Sequence, residues 1–515
     1  MNIPSRRDYF YRSLRLASAY SLSRLIIASQ SFIYGVMIEK IQVPGAVAAA
    51  PVMFNIQQFF FGMMRGNISA VVTITGTLNG AKRYREIGPA GNQGLLLGVL
   101  LGLPVSMLFF FSESVLNLVG IDTLVARQSG EFLRGVSYGV IPTFWSFSDQ
   151  CMLMGLHRTL PPIILNALFT VLTVGICFPA ALFSNSIAPI GWGTSLAALA
   201  VFLAGRAYLF FNKTDGVLDR EQYQFFSLSL KSGTSFKGVL SLSLPVMLQA
   251  LSEWLPITLI ALLTATFSSS QTWLSAEQAA NQVLLVTSQV IGAISSSATI
   301  LVSNERGRLL GDMKTRMLEP KEAVTAFSRI AWGTKITGLV LMAVPAVFCV
   351  SFPNLLFSLF SPGDTSVREE SFNITRIAGA TLLIDVVRMV IIGNVIGLKS
   401  PVASLISAVT NLLAVSSMTA LPGYFMVKNF NSPVSFYGMR TAGMGLSMLL
   451  LSRHLERQSV KPLVLEKKSE EKKSEEKKSA DSTARSAEAF RPAAAVSGSV
   501  IHPDHHDQEK ALEKI

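Results

Sequence analysis

Twelve apolar stretches, each about 20 residues long, follow one another through most of the chain and leave little of it for anything else. That length lets an α-helix cross the hydrocarbon core of a bilayer, where each backbone N–H and C=O has to be satisfied within the segment. The spans start near Leu16, Gly45, Gly91, Glu131, Leu160 and Ile187, then near Val239, Trp273, Ala323, Phe372, Val402 and Val434. Composition agrees: 50% of residues are hydrophobic, only 15% are charged, and mean hydropathy is positive. The expected fold class is an all-α polytopic membrane protein of twelve transmembrane helices.

Lys and Arg number 44 against 32 Asp and Glu. In a soluble chain that excess would suggest nucleic acid. Here the cations cluster in alternate loops, at Arg6 to Arg15, Lys82 to Arg85, His157 and Arg158, Arg306 to Arg316, and Lys399, as the positive-inside rule would place them. No nucleic-acid partner is expected, both termini are expected in the cytoplasm, and the short loops suit a prokaryotic inner (plasma) membrane. Arg24 interrupts the first apolar run, which reads as a retained span and not a cleaved signal. Cys151, Cys177 and Cys349 form no disulfide pattern. After Leu455 the chain turns to EKKSE-like repeats and an Ala/Ser-rich stretch that cannot bury a core. The organisation expected is an N-lobe with helices 1–6 over 1–211, a cytoplasmic linker over 212–238, a C-lobe with helices 7–12 over 239–455, and a disordered charged cytoplasmic tail over 456–515.

The second six spans echo the first. Setting Gly80 against Gly307 aligns Ala49 with Ala276, and both helices run from an Ala-rich start through small residues to a Gly followed by basic residues. The fourth spans end alike, GLHRTLPP at Gly155 and GLKSPVAS at Gly397. Internal repeats of this kind mark secondary transporters, whose sites lie near the midplane between halves.

Two carboxylates, Glu253 and Asp385, stand in the middle of long apolar stretches. A carboxylate at the bilayer centre costs at least about 2.5–3.5 kcal/mol on insertion scales, and such groups face a watery cavity or a partner. Both are candidates for a coupling-ion or substrate-cation site, with Na+ as one occupant. Asp385 has a competing explanation in Arg388, three residues on and on the same helical face. Thr381, one turn earlier, is an oxygen ligand or a packed hydroxyl. The amides Gln278, Asn281 and Gln282 in span eight, and Gln57 and Gln58 in span two, could touch a ligand or bond between helices. Trp254 offers an aromatic face to an organic cation. Carried across the echoes, Glu253 falls on Ile26 and Asp385 on Thr143, so neither acid has an acidic counterpart. The first half instead carries buried-looking Arg24, Arg65 and Arg134, with Asp149 as the nearest internal acid.

SLPVMLQALSEW with Glu253, the AANQV opening of span eight, DVVRMVIIGNVIGLKSP with Asp385, and a long second span ending in small residues resemble the multidrug and toxic compound extrusion (MATE) family of the multidrug/oligosaccharidyl-lipid/polysaccharide exporter superfamily. The resemblance runs from about Ser21 to Leu450. It implies a V-shaped bundle of two lobes with a central cavity, exporting amphipathic organic cations, drugs and toxic compounds among them, in exchange for Na+ or H+ by alternating access. It also implies a cation site at Glu253 and Asp385. Many members carry an Asp in span one where this chain has Tyr34 and Gly35, which moves the expected coupling to the second half.

A flippase for lipid-linked saccharides of the same superfamily is the alternative, with Arg24, Arg65, Arg134 and Arg388 as pyrophosphate ligands. An enzyme is not expected, because four of five His lie in or beside the tail and no HEXXH motif is present. No GxxxxGK[ST] loop points to ATP. The expected partners are membrane lipid and small-molecule cationic substrates, with no cofactor beyond the coupling ion and a monomer as the working unit.

Overall fold

The computed structural model describes residues 4–41, 43, 46–118, 120–184, 186–211, 236–264, 270–316, 320–354, 365–430 and 432–458, and these are almost all helical. Helices α1 (Arg6–Ile41), α2 (Ala46–Ile68), α3 (Ala70–Gly80), α4 (Ile87–Phe110), α5 (Ser112–Leu118), α6 (Thr123–Ser137), α7 (Val140–Gly155), α8 (Leu160–Ser184) and α9 (Ala188–Phe211) make the first half. The second half contains α10 (Phe236–Thr264), α11 (Ser270–Arg316), α12 (Pro320–Ser351), α13 (Thr365–Gly397), α14 (Pro401–Phe430) and α15 (Val434–Gln458). Of the expected linker, residues 236–238 form the first turn of α10. Of the expected tail, 456–458 end α15, and the remainder of both lies outside the described residues.

Counting α2 with α3 and α6 with α7 as single spans, and the short α5 as a connection, gives the twelve-span fold. Eight of these helices are long and apolar enough to cross a membrane by length and composition alone. Helices also extend past their apolar middles: α1 begins at Arg6, and α11 runs for 47 residues, about 70 Å at 1.5 Å per residue. The break between α6 and α7 frees carbonyls inside the membrane, and hydroxyls answer them. Ser106 Oγ donates to Ser137 O at 2.7 Å, and Ser195 Oγ donates to Gly135 O at 2.7 Å.

The sequence echo has a physical counterpart. A Cβ on Gly80 would overlap the Asn304 carbonyl and lie 2.9 Å from Arg308 N; a Cβ on Gly307 would overlap the Thr77 carbonyl and lie 2.8 Å from Ala81 N. Under the alignment of Gly80 with Gly307, Thr77 matches Asn304 and Ala81 matches Arg308, so each helix makes the same contact on the other. The fourth spans follow suit. A Cβ on Gly155 would meet Gly76 N at 2.9 Å, and one on Gly397 would meet Val302 Cβ at 2.8 Å. His157 and Lys399 then both turn the chain through left-handed φ, 59° and 54°. Lys82, after α3, does the same at 57°. Behind His157 and Lys82 the Arg158 and Arg83 amides reach back to Leu153 O and Leu78 O, closing each helix end.

Helix α1 serves both halves. Its first turns lie on α12, with Thr337 Oγ1 donating to Phe10 O at 3.4 Å and Arg329 Nη1 to Pro4 O at 3.1 Å. Its later turns face α8 and α9, where Asn166 Nδ2 donates to Ser23 Oγ at 2.7 Å, Gln30 Nε2 to Thr170 Oγ1 at 2.9 Å, and Tyr34 and Thr194 share a hydroxyl bond of 2.9 Å.

The crossing of α3 and α11 makes equal demands on its two glycines. Gly80→Ala and Gly307→Ala are each expected to destabilise the purified protein by about 1–3 kcal/mol, the usual cost of overpacking. Thermal unfolding in detergent measures this. A variant as stable as the native chain would show that the backbones do not meet there.

Candidate functional site

A carboxylate in α10 and an ion pair in α13 are joined by amides and hydroxyls into one buried network. Asp385 and Arg388 are one turn apart, and Arg388 holds Asp385 Oδ1 from Nε at 3.0 Å and from Nη2 at 2.5 Å. Side-chain exposure is 4% for Arg388 and 17% for Asp385. The third guanidinium nitrogen, Nη1, donates to Asn411 Oδ1 of α14 at 2.6 Å, and Ser447 Oγ of α15 donates to the same oxygen at 3.1 Å. Asn411 Nδ2 continues to Ser252 Oγ of α10 at 2.7 Å. Gln249 Nε2 then donates to Ser252 Oγ at 3.3 Å and to Glu253 Oε1 at 3.2 Å.

Within this network Glu253 and Asp385 differ. Asp385 is neutralised by its own helix neighbour. Glu253 is half-buried, accepts one amide hydrogen bond, and makes no ion pair among the described residues, although Arg388, Arg440 and Arg24 lie within electrostatic reach. A half-buried carboxylate with spare lone pairs can take a proton or a hard cation. Thr381 Oγ1 donates to Ile377 O at 2.7 Å or shares a hydrogen bond with Thr441 Oγ1 at 2.7 Å.

Other residues singled out from the sequence fall elsewhere. Trp254 points at α2, its Nε1 2.7 Å from where a Cβ on Gly62 would stand, so its indole is packed between the halves. Gln57 is buried in α2 and Gln58 half-buried beside it. Gln278, Asn281 and Gln282 belong to α11, and their side chains lie outside the described residues. Arg134 is not buried: its side chain is 46% exposed and pairs at 3.3 Å with Glu113 in the first turn of α5. Tyr34 is buried, bonded to Thr194 and stacked on Phe54 at 5.6 Å, so a neutral hydroxyl occupies that part of span one.

The first half has its own small cavity, lined by Ile27, Arg65, Thr143, Ser146, Gln150 and Phe147 among others. Under the alignment of Gly155 with Gly397, Thr143 and Ser146 occupy the positions of Asp385 and Arg388. Two hydroxyls thus stand where the second half has its ion pair. Arg65 lies over the Phe147 ring at 5.7 Å. Arg24 donates to Ser296 Oγ at 3.5 Å, and the two arginines repel one another.

Asp149 turns away from this cavity to Arg206 of α9 at 2.7 Å, both side chains 1% exposed. Sequence reading missed Arg206, and likewise Arg440 and Glu277. The signal was there, since each is a charge inside a span, as Glu253 is. Asp149→Leu is expected to cost about 3–5 kcal/mol by stranding Arg206, whereas adding Arg206→Met should restore most of the loss. Thermal unfolding of both variants decides this, and a double variant no better than the single one would argue against the pair.

The MatE family model matches residues 20–178. The chain is 24% identical over 418 residues to "Probable multidrug resistance protein NorM" of Mesorhizobium japonicum, a match covering 78% of this chain and 84% of that protein. In structure it is similar to the eukaryotic MATE transporter AtDTX14, with TM-score 0.74 at 16% identity, covering 88% of this chain and 98% of the other. A multidrug resistance MATE family transporter of the MOP superfamily, solved in an outward-facing conformation, gives TM-score 0.75 at 14% identity, covering 89% and 97%. At such identities the structural likeness speaks for the fold.

Proposed function

This chain belongs to the MATE family of membrane transporters, and we propose from that premise that it is a secondary active exporter of amphipathic organic molecules, driven by Na+ or H+ through alternating access. The observation that carries the reading is Glu253, a half-buried intramembrane carboxylate held by one amide and left without an ion-pair partner among the described residues. A coupling ion arriving there would change the balance of a network that reaches α13, α14 and α15 through Ser252, Asn411 and Arg388. Asp385 is the second candidate ligand and would join only when Arg388 yields it. For the ion to do work, its affinity has to differ between the states open to either side.

The names of the relatives support a cargo of drugs and toxic compounds. Organic cations, the cargo expected from the sequence, would have to bind at the same two carboxylates, and Asp385 is already neutralised. The carboxylates therefore suit the coupling ion better than the cargo. The clustered basic loops support a plasma-membrane orientation with both termini in the cytoplasm. The flippase reading loses Arg134 to the surface and Arg388 to Asp385.

The test is transport in liposomes with rhodamine B, a dye bearing both a cationic ring system and a carboxylate. Native protein is expected to move it uphill when a Na+ or a proton gradient is imposed. Glu253→Gln should lower gradient-driven transport at least about tenfold, as expected when an essential charged partner is removed. Transport that ignores both gradients, or that survives Glu253→Gln, would sink the proposal.

A further inference from the structure

Four arginines crowd the first turns of α1, and none of them forms an ion pair among the described residues. Arg6, Arg7, Arg12 and Arg15 are all exposed. Asp8 is the one acid in this stretch, and it accepts from the backbone N and the Oγ of Ser5 at 2.9 and 2.8 Å, closing the start of the helix. It reaches Arg7 and Arg12 only through the field of its charge. Two of the guanidiniums rest on aromatic rings: Arg6 lies over Trp332 of α12 at 5.7 Å, and Arg7 over Tyr11 at 5.7 Å. Both rings are themselves open to the outside, Trp332 at 42% and Tyr11 at 53%.

The neighbouring helices put this patch at the edge of the bilayer. Helix α12 is apolar enough to cross a membrane, and from Trp332 to Ser351 it measures about 28 Å at 1.5 Å per residue, close to the thickness of a hydrocarbon core. Trp332 then marks one end of that span, the level where tryptophan and tyrosine collect. Beyond it Val340, Val344 and Val347 are exposed, an aliphatic surface fit for acyl chains. Helix α8, also packed on α1, gives the same level: Ser23 is bonded to Asn166, so eight residues back Arg15 stands beside the turn that precedes Leu160. The exposed face of α1 itself makes the change of medium, for Arg7, Tyr11 and Arg15 recur at four-residue spacing and give way to Ser18 and Leu22.

Guanidiniums at that level, stacked on rings and short of acids, present paired donors in the geometry that phosphate oxygens fit. We infer that the exposed face of α1 from Arg6 to Arg15, with Trp332 of α12, is a binding site for an anionic phospholipid of the leaflet on the side of the basic loops. Arg7 and Arg15 hold the headgroup phosphate, Arg6 is kept beside them by Trp332, and the acyl chains run along Leu22 and the valines of α12. A zwitterionic headgroup brings its own cation to the patch and is held less well. The site asks nothing of the cargo or of the coupling ion, so it stands apart from the exporter reading.

The experiment titrates the full chain in detergent with phosphatidylglycerol or phosphatidylethanolamine and reads lipid-bound protein by native mass spectrometry. Native protein is expected to bind phosphatidylglycerol at least about fivefold more tightly, the share of one arginine near an anionic surface. Arg7→Gln with Arg15→Gln should cost about fivefold for each arginine removed. Arg6→Gln with Trp332→Leu is a second pair, expected to lower the same affinity should the first fail to fold. Lys82→Gln with Arg85→Gln takes two exposed cations from a different loop and should leave the affinity unchanged. Equal binding of the two lipids by native protein overturns the inference. So does a loss as large in the Lys82 and Arg85 variant, which would make the effect one of overall charge, or displacement of the lipid by millimolar inorganic phosphate, which would make the ligand a free anion.

Discussion

The fold turns on the place where α3 and α11 cross with only backbone between them. Gly80 and Gly307 let each helix lie against a carbonyl of the other, and the contact is the same from either side. Small residues allow such an approach in lipid, where dispersion and polar contacts hold helices together and no hydrophobic force does. Polar side chains then lock the crossing: Asn79 Nδ2 donates to Asn304 Oδ1 at 2.8 Å, and Asn304 Nδ2 to Gly155 O at 3.1 Å. The fourth spans lean on the same two helices through Gly155 and Gly397, so one point of symmetry organises two pairs of spans.

On that symmetric frame the charges are placed without symmetry. Asp149 and Arg206 form a dry pair that ties α7 to α9. Asp385 and Arg388 form a damper one within a single helix, tied by Asn411 to α14 and onward to α10. The 1% exposure of Asp149 against 17% for Asp385 separates a dry pair from one that is only partly covered. Arg65 belongs to neither pattern, since it faces open space in place of an acid.

Much of this was legible in the chain itself, for identifiable reasons. A bilayer forces long apolar helices, so the spans show in hydropathy. A backbone crossing forces glycine, so Gly80 echoes Gly307. A turn at φ near 59° leaves its trace in GLH and GLK. What hydropathy cannot carry is partnership between spans distant in sequence, and so Arg206, the partner of Asp149, passed unnoticed, as did Arg440. Arg134 was misplaced because a window average does not register which face of a span a side chain occupies. Nothing in the span of Trp254 itself shows that Gly62 makes room for its indole.

The path of α1 has a mechanical consequence. A helix fastened at Phe10 to α12 and at Ser23, Gln30 and Tyr34 to α8 and α9 is a tie rod between helices of the two halves. Any shift of α12 relative to α8 and α9 would have to be absorbed within its length, by bending or by slipping one set of fastenings. Arg24 sits where the fastenings change sides, one residue past Ser23 and against Ser296 of α11. Strain in the rod is therefore felt first as a displacement of that charge.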